Sequence, residues 1–337
     1  MTDETTDLLV VRGLRTTLRT PRGPVTVVDG ADLRIPRGST VGVVGESGSG
    51  KSMLARSLMN LLPAGADVTA DELAFDGRDL DPRRPPHRHF WGTEISMVFQ
   101  DPMTALNPVR TVGAQIRDPL RVHRRMNRRD ARARAAELLA HVGIPAPDSR
   151  LDQYPHELSG GMRQRAMIAV AIACEPRLLI ADEPTTGLDV TVQRQILALL
   201  RRLKEEHGMA MVLISHDIAL LADEVDEVNV MYAGEVVENT GVAQVRDAAV
   251  RHRYTAALLR AHPDVDAPAR TRLESIPGGP PDPLAMPAGC RFAPRCEHRR
   301  DVCATERRGR SATRGPAPPT PAISPPCRPR SPCENDR

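Results

Sequence analysis

The chain has 337 residues, 40% hydrophobic and 26% charged, with a formal net charge of +3. That length and balance fit an ordinary globular protein of one or two domains, while the small charge and 2% aromatic content argue against a strongly electrostatic or base-stacking nucleic-acid surface. No apolar run reaches the roughly 20 residues that span a bilayer, and the acidic start Met1-Thr2-Asp3-Glu4 lacks the basic-then-apolar layout of a signal peptide. We expect a cytoplasmic protein whose membrane contact comes through a partner.

In chain order, residues 8–18 and 25–35 read as two strands around the turn Pro21-Arg22-Gly23-Pro24. Residues 40–44 form a short buried strand, 51–62 a helix stopped by Pro63, and 94–99 a strand ending at Gln100. The stretch 112–142 is helical in pattern and rich in Arg and Ala, with a solvated charged face at 126–134. A second helix covers 159–174, then come a buried strand at 178–181, an amphipathic helix at 190–207 and a strand at 210–214. This alternation predicts an α/β core with a largely parallel sheet, into which a helical subdomain at about 101–163 is inserted. After a short helix at 253–261 the chain turns Pro- and Gly-rich and carries little core of its own. The expected division is 1–250 and 251–337.

Gly45-Glu46-Ser47-Gly48-Ser49-Gly50-Lys51-Ser52 fits the phosphate-loop pattern G-x-x-x-x-G-K-[ST], between a strand and a helix as that pattern requires. Its glycines let backbone N–H groups turn inward around phosphate, and the helix N-terminus adds a favourable dipole. Lys51, one of only two lysines, neutralises the β- and γ-phosphates, and the Ser52 hydroxyl suits Mg²⁺. Leu178-Leu179-Ile180-Ala181-Asp182-Glu183 is an apolar strand ending in two acids. Asp182 is placed for Mg²⁺ through water, and Glu183 to orient and polarise an attacking water. At other strand ends, Gln100 can touch both Mg²⁺ and that water, and His216 can donate to a γ-phosphate oxygen. A lone Gln or His is usually a surface residue, so their order along the chain carries these two assignments. Ser159-Gly160-Gly161 opens a helix, with Ser159 as its cap, and forms a second anion site.

The ordered set of phosphate loop, Gln100, Leu158-Ser159-Gly160-Gly161-Met162, acidic strand and His216 resembles the ATP-binding cassette (ABC) family. The resemblance implies a P-loop NTPase core whose domains dimerise head to tail around two ATP molecules, each completing the other's site. It narrows to the oligopeptide/dipeptide importer ATPases, and related nickel importers, through Gln100-Asp101-Pro102-Met103-Thr104-Ala105-Leu106-Asn107-Pro108, Tyr154-Pro155-His156-Glu157 before the signature, and Pro184-Thr185-Thr186-Gly187-Leu188-Asp189 after the acids. Ile276-Pro277-Gly278-Gly279-Pro280-Pro281 and Gly289-Cys290-Arg291-Phe292-Ala293-Pro294-Arg295-Cys296 look like that branch's C-terminal extension. Two departures stand out: Leu18 where relatives often carry an adenine-stacking aromatic, and His252-Arg253-Tyr254-Thr255 where His-Pro-Tyr-Thr is usual.

Five of the six cysteines lie at or beyond residue 290. Cys290, Cys296, Cys303 and Cys327 resemble the family's four-cysteine set, which implies a [4Fe-4S] cluster, with Cys333 as a substitute ligand and zinc as the rival metal. Cys174 reads as a small core residue. The resemblance further implies two transmembrane permease subunits, a second related ABC ATPase as heterodimer partner, an extracytoplasmic solute-binding protein acting indirectly, no nucleic acid, and a place on the cytoplasmic face of the membrane. The expected activity is ATP hydrolysis driving import of di- or oligopeptides. The alternatives are a nickel or other small-solute importer and, in a different class, a nucleic-acid- or ribosome-associated ABC ATPase.

Overall fold

The computed structural model describes residues 7–84, 90–261 and 275–307. Strands β1 (Asp7–Thr20) and β2 (Gly23–Pro36) pair as an antiparallel hairpin closed at the expected turn. They do not join the parallel sheet. With β4 (Asp67–Thr69), β5 (Glu72–Phe75) and β6 (Arg78–Asp79) they build an antiparallel sheet of their own, ordered β2-β1-β5-β6 with β4 on β1. The second sheet has six strands in the order β11-β10-β3-β9-β8-β7. These are β3 (Thr40–Val44), β7 (Ile95–Val98), β8 (Leu178–Asp182), β9 (Ala210–Ser215), β10 (Glu227–Tyr232) and the antiparallel edge strand β11 (Glu235–Gly241). Strands β3, β8 and β9 are buried along their whole length, which is why they read as unbroken apolar runs rather than alternations.

Period-two side-chain geometry lets one strand serve two cores. In β8, Leu178 and Ile180 face the core shared with the antiparallel sheet, beside Leu9, Leu33, Ile35 and Leu54. Leu179 and Ala181 face the opposite core, which is shared with the helical region through Ile116, Leu138, Leu139 and Ile168. That helical region comprises the helices Val112–His123, Arg128–His141 and Gly160–Ile172. The stretch 112–142 is thus two helices rather than one: Arg125 takes a positive φ of 54°, and Asn127 caps the second helix by accepting from the Asp130 N–H at 3.0 Å. The helix after the phosphate loop is Lys51–Leu58, shorter than expected, because Asn60 adopts φ 53° and turns the chain before Pro63.

Among the described residues, two beyond 250 pack into the cassette's core. Tyr254, on the helix Arg253–Arg260, and Phe292 are buried in the same core as β10. Their rings pack on Tyr232 with centroids 4.5 and 5.3 Å away. A segment poor in apolar residues thus gains a core by borrowing the cassette's. Among the described residues, no helix is long and apolar enough to cross a membrane.

The two sheets are tied at Asp76, in the turn between β5 and β6, whose carboxylate accepts from Arg177 at the start of β8 at 2.7 Å and from Arg37. The hydrogen bonds from Arg177 and then Arg37 hold Asp76 well below the usual carboxylate range. A carboxylate with a lowered folded pKa contributes stability above its unfolded value, about pH 4, and loses it as pH falls through the folded value. Asp76→Asn suits the left-handed backbone (φ 54°) and removes the charge together with one of the two acceptor oxygens. It should cost at most about 1 kcal/mol at neutral pH, since solvent screens the pair. The gap between native and variant in denaturant midpoint should close below about pH 4; a gap that stayed constant with pH would show that the charge carries none of it.

Candidate active site

Four neighbouring parallel strands, in the order β3-β9-β8-β7, deliver their carboxyl ends to one edge of the sheet, where ligands of open α/β sheets gather. The register keeps those ends level: Val44 lies opposite Ser215, Ile214 opposite Asp182, and Ala181 opposite Val98. The next residues are the phosphate loop after β3, His216 after β9, Glu183 after β8, and Phe99 and Gln100 after β7.

The loop wraps tightly. A Cβ on Gly45 would overlap the carbonyl oxygen of Met231, and one on Gly50, at φ 103°, would sit 2.6 Å from the carbonyl oxygen of Val27. Only glycine fits either position. Lys51 turns back into the loop and donates to the carbonyls of Gly45 (2.8 Å) and Glu46 (3.1 Å), with Glu183 Oε1 3.6 Å away. Burial pulls the pKa of its ammonium down, and the Glu183 charge pushes it back up. Beside it, Ser52 Oγ donates to Asp182 Oδ1 at 2.9 Å. Burial raises the Asp182 pKa and the Ser52 hydrogen bond opposes it, so a cation there would relieve the desolvation that penalises this carboxylate.

Glu183 leaves the strand in the left-handed region, at φ 45°. Its Oε2 accepts from Gln100 Nε2 at 3.1 Å and from Thr186 Oγ1 at 3.0 Å, and His216 Nδ1 lies 3.4 Å away. The structure therefore brings Lys51, Ser52, Asp182, Glu183, Gln100 and His216 into one cluster, joined by hydrogen bonds, the Lys51–Glu183 ion pair and chain adjacency. Gln100 meets Glu183 rather than Ser52. Ser159, Gly160 and Gly161 lie outside the cluster. Ser159 caps its helix, accepting from the Met162 N–H at 3.3 Å, and the space above Gly160 is open. Among the described residues, the cluster's hydrogen bonds do not reach that turn.

Residue types at the loop fit Mg²⁺ with a polyphosphate: a hydroxyl and a buried carboxylate are hard oxygen donors, and Mg²⁺ takes its remaining ligands from water and phosphate.

The ABC transporter family model matches residues 28–186, and that of the oligopeptide/dipeptide transporter C-terminal region matches 237–303. The dipeptide transport ATP-binding protein of Escherichia coli (strain K12) is 51% identical over 284 residues, 84% of this chain and 86% of the relative. The chain belongs to the ABC transporter family. The oligopeptide transport ATP-binding protein of the same organism is 46% identical to this ABC protein over 88% of each chain. A dimeric ATP-binding cassette solved in a post-hydrolysis state with ADP and Pi has a TM-score of 0.61 and 27% identity, over 69% of this chain and 98% of that one. This ABC protein is accordingly an ATPase that uses ATP and Mg²⁺.

The iron–sulfur expectation is overturned. Among the described residues, no group of three or more His, Cys, Asp or Glu is placed to hold a metal ion. Cys290, Cys296 and Cys303 are free cysteines, while Cys327 and Cys333 lie outside the described residues. Cys290 and Cys303 meet through backbone, with the Cys290 N–H donating to the Cys303 carbonyl at 2.9 Å. Burial pushes the Cys290 thiol's pKa up, away from the thiolate that a cluster requires. The three described cysteines of the extension are not a converging ligand set, and the iron–sulfur and metal-binding assignments of the extension are withdrawn.

Three contacts escaped the sequence. Thr186 holds Glu183 from within its own turn. Gln164, buried on the helix behind the Ser159 turn, donates to the Pro184 carbonyl at 2.6 Å and so links that helix to the residue after Glu183. Arg295 grips Glu46 of the phosphate loop with two nitrogens, at 2.7 and 3.1 Å. The residues of all three lie within or near quoted motifs, but no motif signals that Arg295 and Glu46 meet across 249 positions.

Because Gly50 has no room for a Cβ, Gly50→Ala should weaken Mg-ATP binding at least about tenfold, the effect of about 1.4 kcal/mol of loop distortion, with circular dichroism unchanged. Native affinity in that variant would show that the loop gives way more easily than its packing implies.

Proposed function

We propose that this chain is the ATP-hydrolysing subunit of a membrane importer for di- or oligopeptides. One observation carries the reading: the cluster at the carboxyl edge of the sheet belongs to a chain half identical to a dipeptide transport ATP-binding protein. In this reading, backbone N–H groups of the loop 45–52, that of Glu46 excepted because it donates to the Tyr254 hydroxyl, and the Lys51 ammonium bind the β- and γ-phosphates. Ser52 and Gln100 hold Mg²⁺, with Asp182 acting through water. The bound ion supplies positive charge against the phosphate oxygens. Glu183, steadied by Gln100 and Thr186, orients and polarises the attacking water, and His216 donates to a γ-phosphate oxygen.

Ser159, Gly160 and Gly161 act on the ATP of a facing cassette. The open space above Gly160 supports this, as does the dimeric state of the similar solved cassette. ATP then closes the dimer and hydrolysis releases it. The facing subunit is a second, related ABC ATPase, and the pair docks at the cytoplasmic face of the membrane on two permease subunits fed indirectly by a solute-binding protein; nucleic acid has no part. The cassette is residues 1–250, with its helical subdomain at about 101–163, and the extension is 251–337.

Glu183→Gln keeps the side chain's shape and its contact with Thr186 while removing the charge. Hydrolysis should fall on the order of 10²–10⁴-fold with Mg-ATP binding retained; steady turnover near the native rate would remove Glu183 from its role. Tagged full-length chain, recovered from detergent-solubilised native membranes, should bring two multi-spanning permeases and a second cassette. Recovery of ribosomes or DNA-processing proteins without a permease would overturn the importer reading.

A further inference from the structure

Among the described residues, hydrogen bonds from the region after residue 250 reach the phosphate loop at Glu46 and hold both its backbone and its side chain. Tyr254 is fully buried, and its hydroxyl oxygen accepts the Glu46 backbone N–H at 2.8 Å. Arg295 receives the Glu46 carboxylate in a two-pronged contact. Its guanidinium is itself fixed: its side chain is only 6% exposed, Nε donates to the Pro277 carbonyl at 2.8 Å, and the group lies over the Tyr232 and Phe292 rings at 5.8 and 6.0 Å. Tyr232 ends β10, and the residue before it, Met231, is the one against which Gly45 packs. The Tyr232, Tyr254 and Phe292 rings thus form a floor under the first residues of the loop.

Two physical needs explain such an arrangement. A flexible Gly-rich loop must be ordered before its N–H groups can converge, and an already ordered loop binds more tightly because that cost is not incurred on binding. A free carboxylate at Glu46 would also repel an incoming polyphosphate; a guanidinium held against it cancels the charge and keeps it turned away. Because the Glu46 N–H is committed to Tyr254, it anchors the loop instead of facing phosphate.

We propose that Arg295 and Tyr254 are positioning residues for the ATP site: by fixing Glu46 they hold the start of the phosphate loop ready for nucleotide, so that the C-terminal region sets the cassette's affinity for ATP. The proposal rests on the nucleotide-binding reading of the loop.

The test uses full-length chain, with binding of a non-hydrolysable ATP analogue and Mg²⁺ measured by calorimetry, and steady-state hydrolysis measured alongside. Tyr254→Phe and Arg295→Gln should each weaken binding about 3- to 10-fold, one hydrogen bond's worth of loop ordering. KM should rise correspondingly while kcat stays within about twofold, the mark of lost uniform binding. Arg295→Lys, which lacks the planar fork, should fall between native and Arg295→Gln. If Arg295 acts through Glu46, the Glu46→Gln/Arg295→Gln double variant should bind no more weakly than Glu46→Gln alone. Unchanged affinity in both single variants, a fully additive double variant, or a fall in kcat with KM intact would each overturn the proposal. Should Arg295→Gln fail to fold, Tyr254→Phe, which deletes one oxygen and leaves the ring packed, decides alone. Native chain that bound no nucleotide would overturn the nucleotide reading and this inference together.

Discussion

The rest of the structure depends on a single buried ammonium. Lys51 is 4% exposed, and removing such a charge from water costs several kcal/mol unless partners replace the lost hydration. Those partners come from two different strands: the Gly45 and Glu46 carbonyls at the end of β3, and Glu183 at the end of β8. The strands can supply them only because β9 lies between them in register and levels their ends. Parallel order, glycines at the loop and the acid pair after β8 are therefore one requirement. On the proposed reading, a polyphosphate would offer Lys51 a stronger partner than a single carboxylate, and Lys51 turning to it would leave Glu183 to Gln100, Thr186 and water.

Glu183 shows what this arrangement costs. A non-glycine residue in the left-handed region carries roughly 1–2 kcal/mol of strain, and such strain persists only where neighbours over-determine it. Here the Glu183 N–H donates to the Ile214 carbonyl at 3.1 Å, its carbonyl accepts from the Thr186 N–H at 3.2 Å, and Gln164 pins Pro184. The bend turns the carboxylate out of the sheet plane toward Gln100 and His216. It also joins the helix behind Ser159 mechanically to the residue after Glu183 in the same chain. The Ser159 turn and the cluster around Glu183, separate in hydrogen bonding at their tips, thus share a buried connection at their base.

What the sequence made legible follows from range. The phosphate loop, the acid pair and the Ser159 cap are each written in a few consecutive residues, and their chemistry needs those residues at that spacing. The buried strands β3, β8 and β9 were legible for a related reason: an apolar run of five or six residues between turn signals has few other uses. Strands β4 to β6 and the pair β10–β11 escaped, because several of them are short or carry polar residues such as Glu72, Arg78, Asn229 and Glu238. Only pairing makes them strands. The hairpin β1–β2 was read correctly as two strands, yet nothing local says that it starts a second sheet. The cysteines misled for a different reason: a resemblance to a family's four-cysteine set was read as convergence in space.

Contacts that tie the C-terminal region to the cassette were illegible in principle, since Arg295 and Glu46 are 249 positions apart. Composition nonetheless carried a trace. The chain has three tyrosines and four phenylalanines, and two of those tyrosines and one phenylalanine sit together beneath the phosphate loop. A protein with so few rings could have filled that space with Leu or Val, as it does elsewhere in the same core. Aliphatic side chains would pack as densely, but they offer neither a hydroxyl for the Glu46 N–H nor a π-face for the Arg295 guanidinium. The rings stand where burial has to be combined with polar grip, and in this chain that place is directly behind the first residues of the loop 45–52.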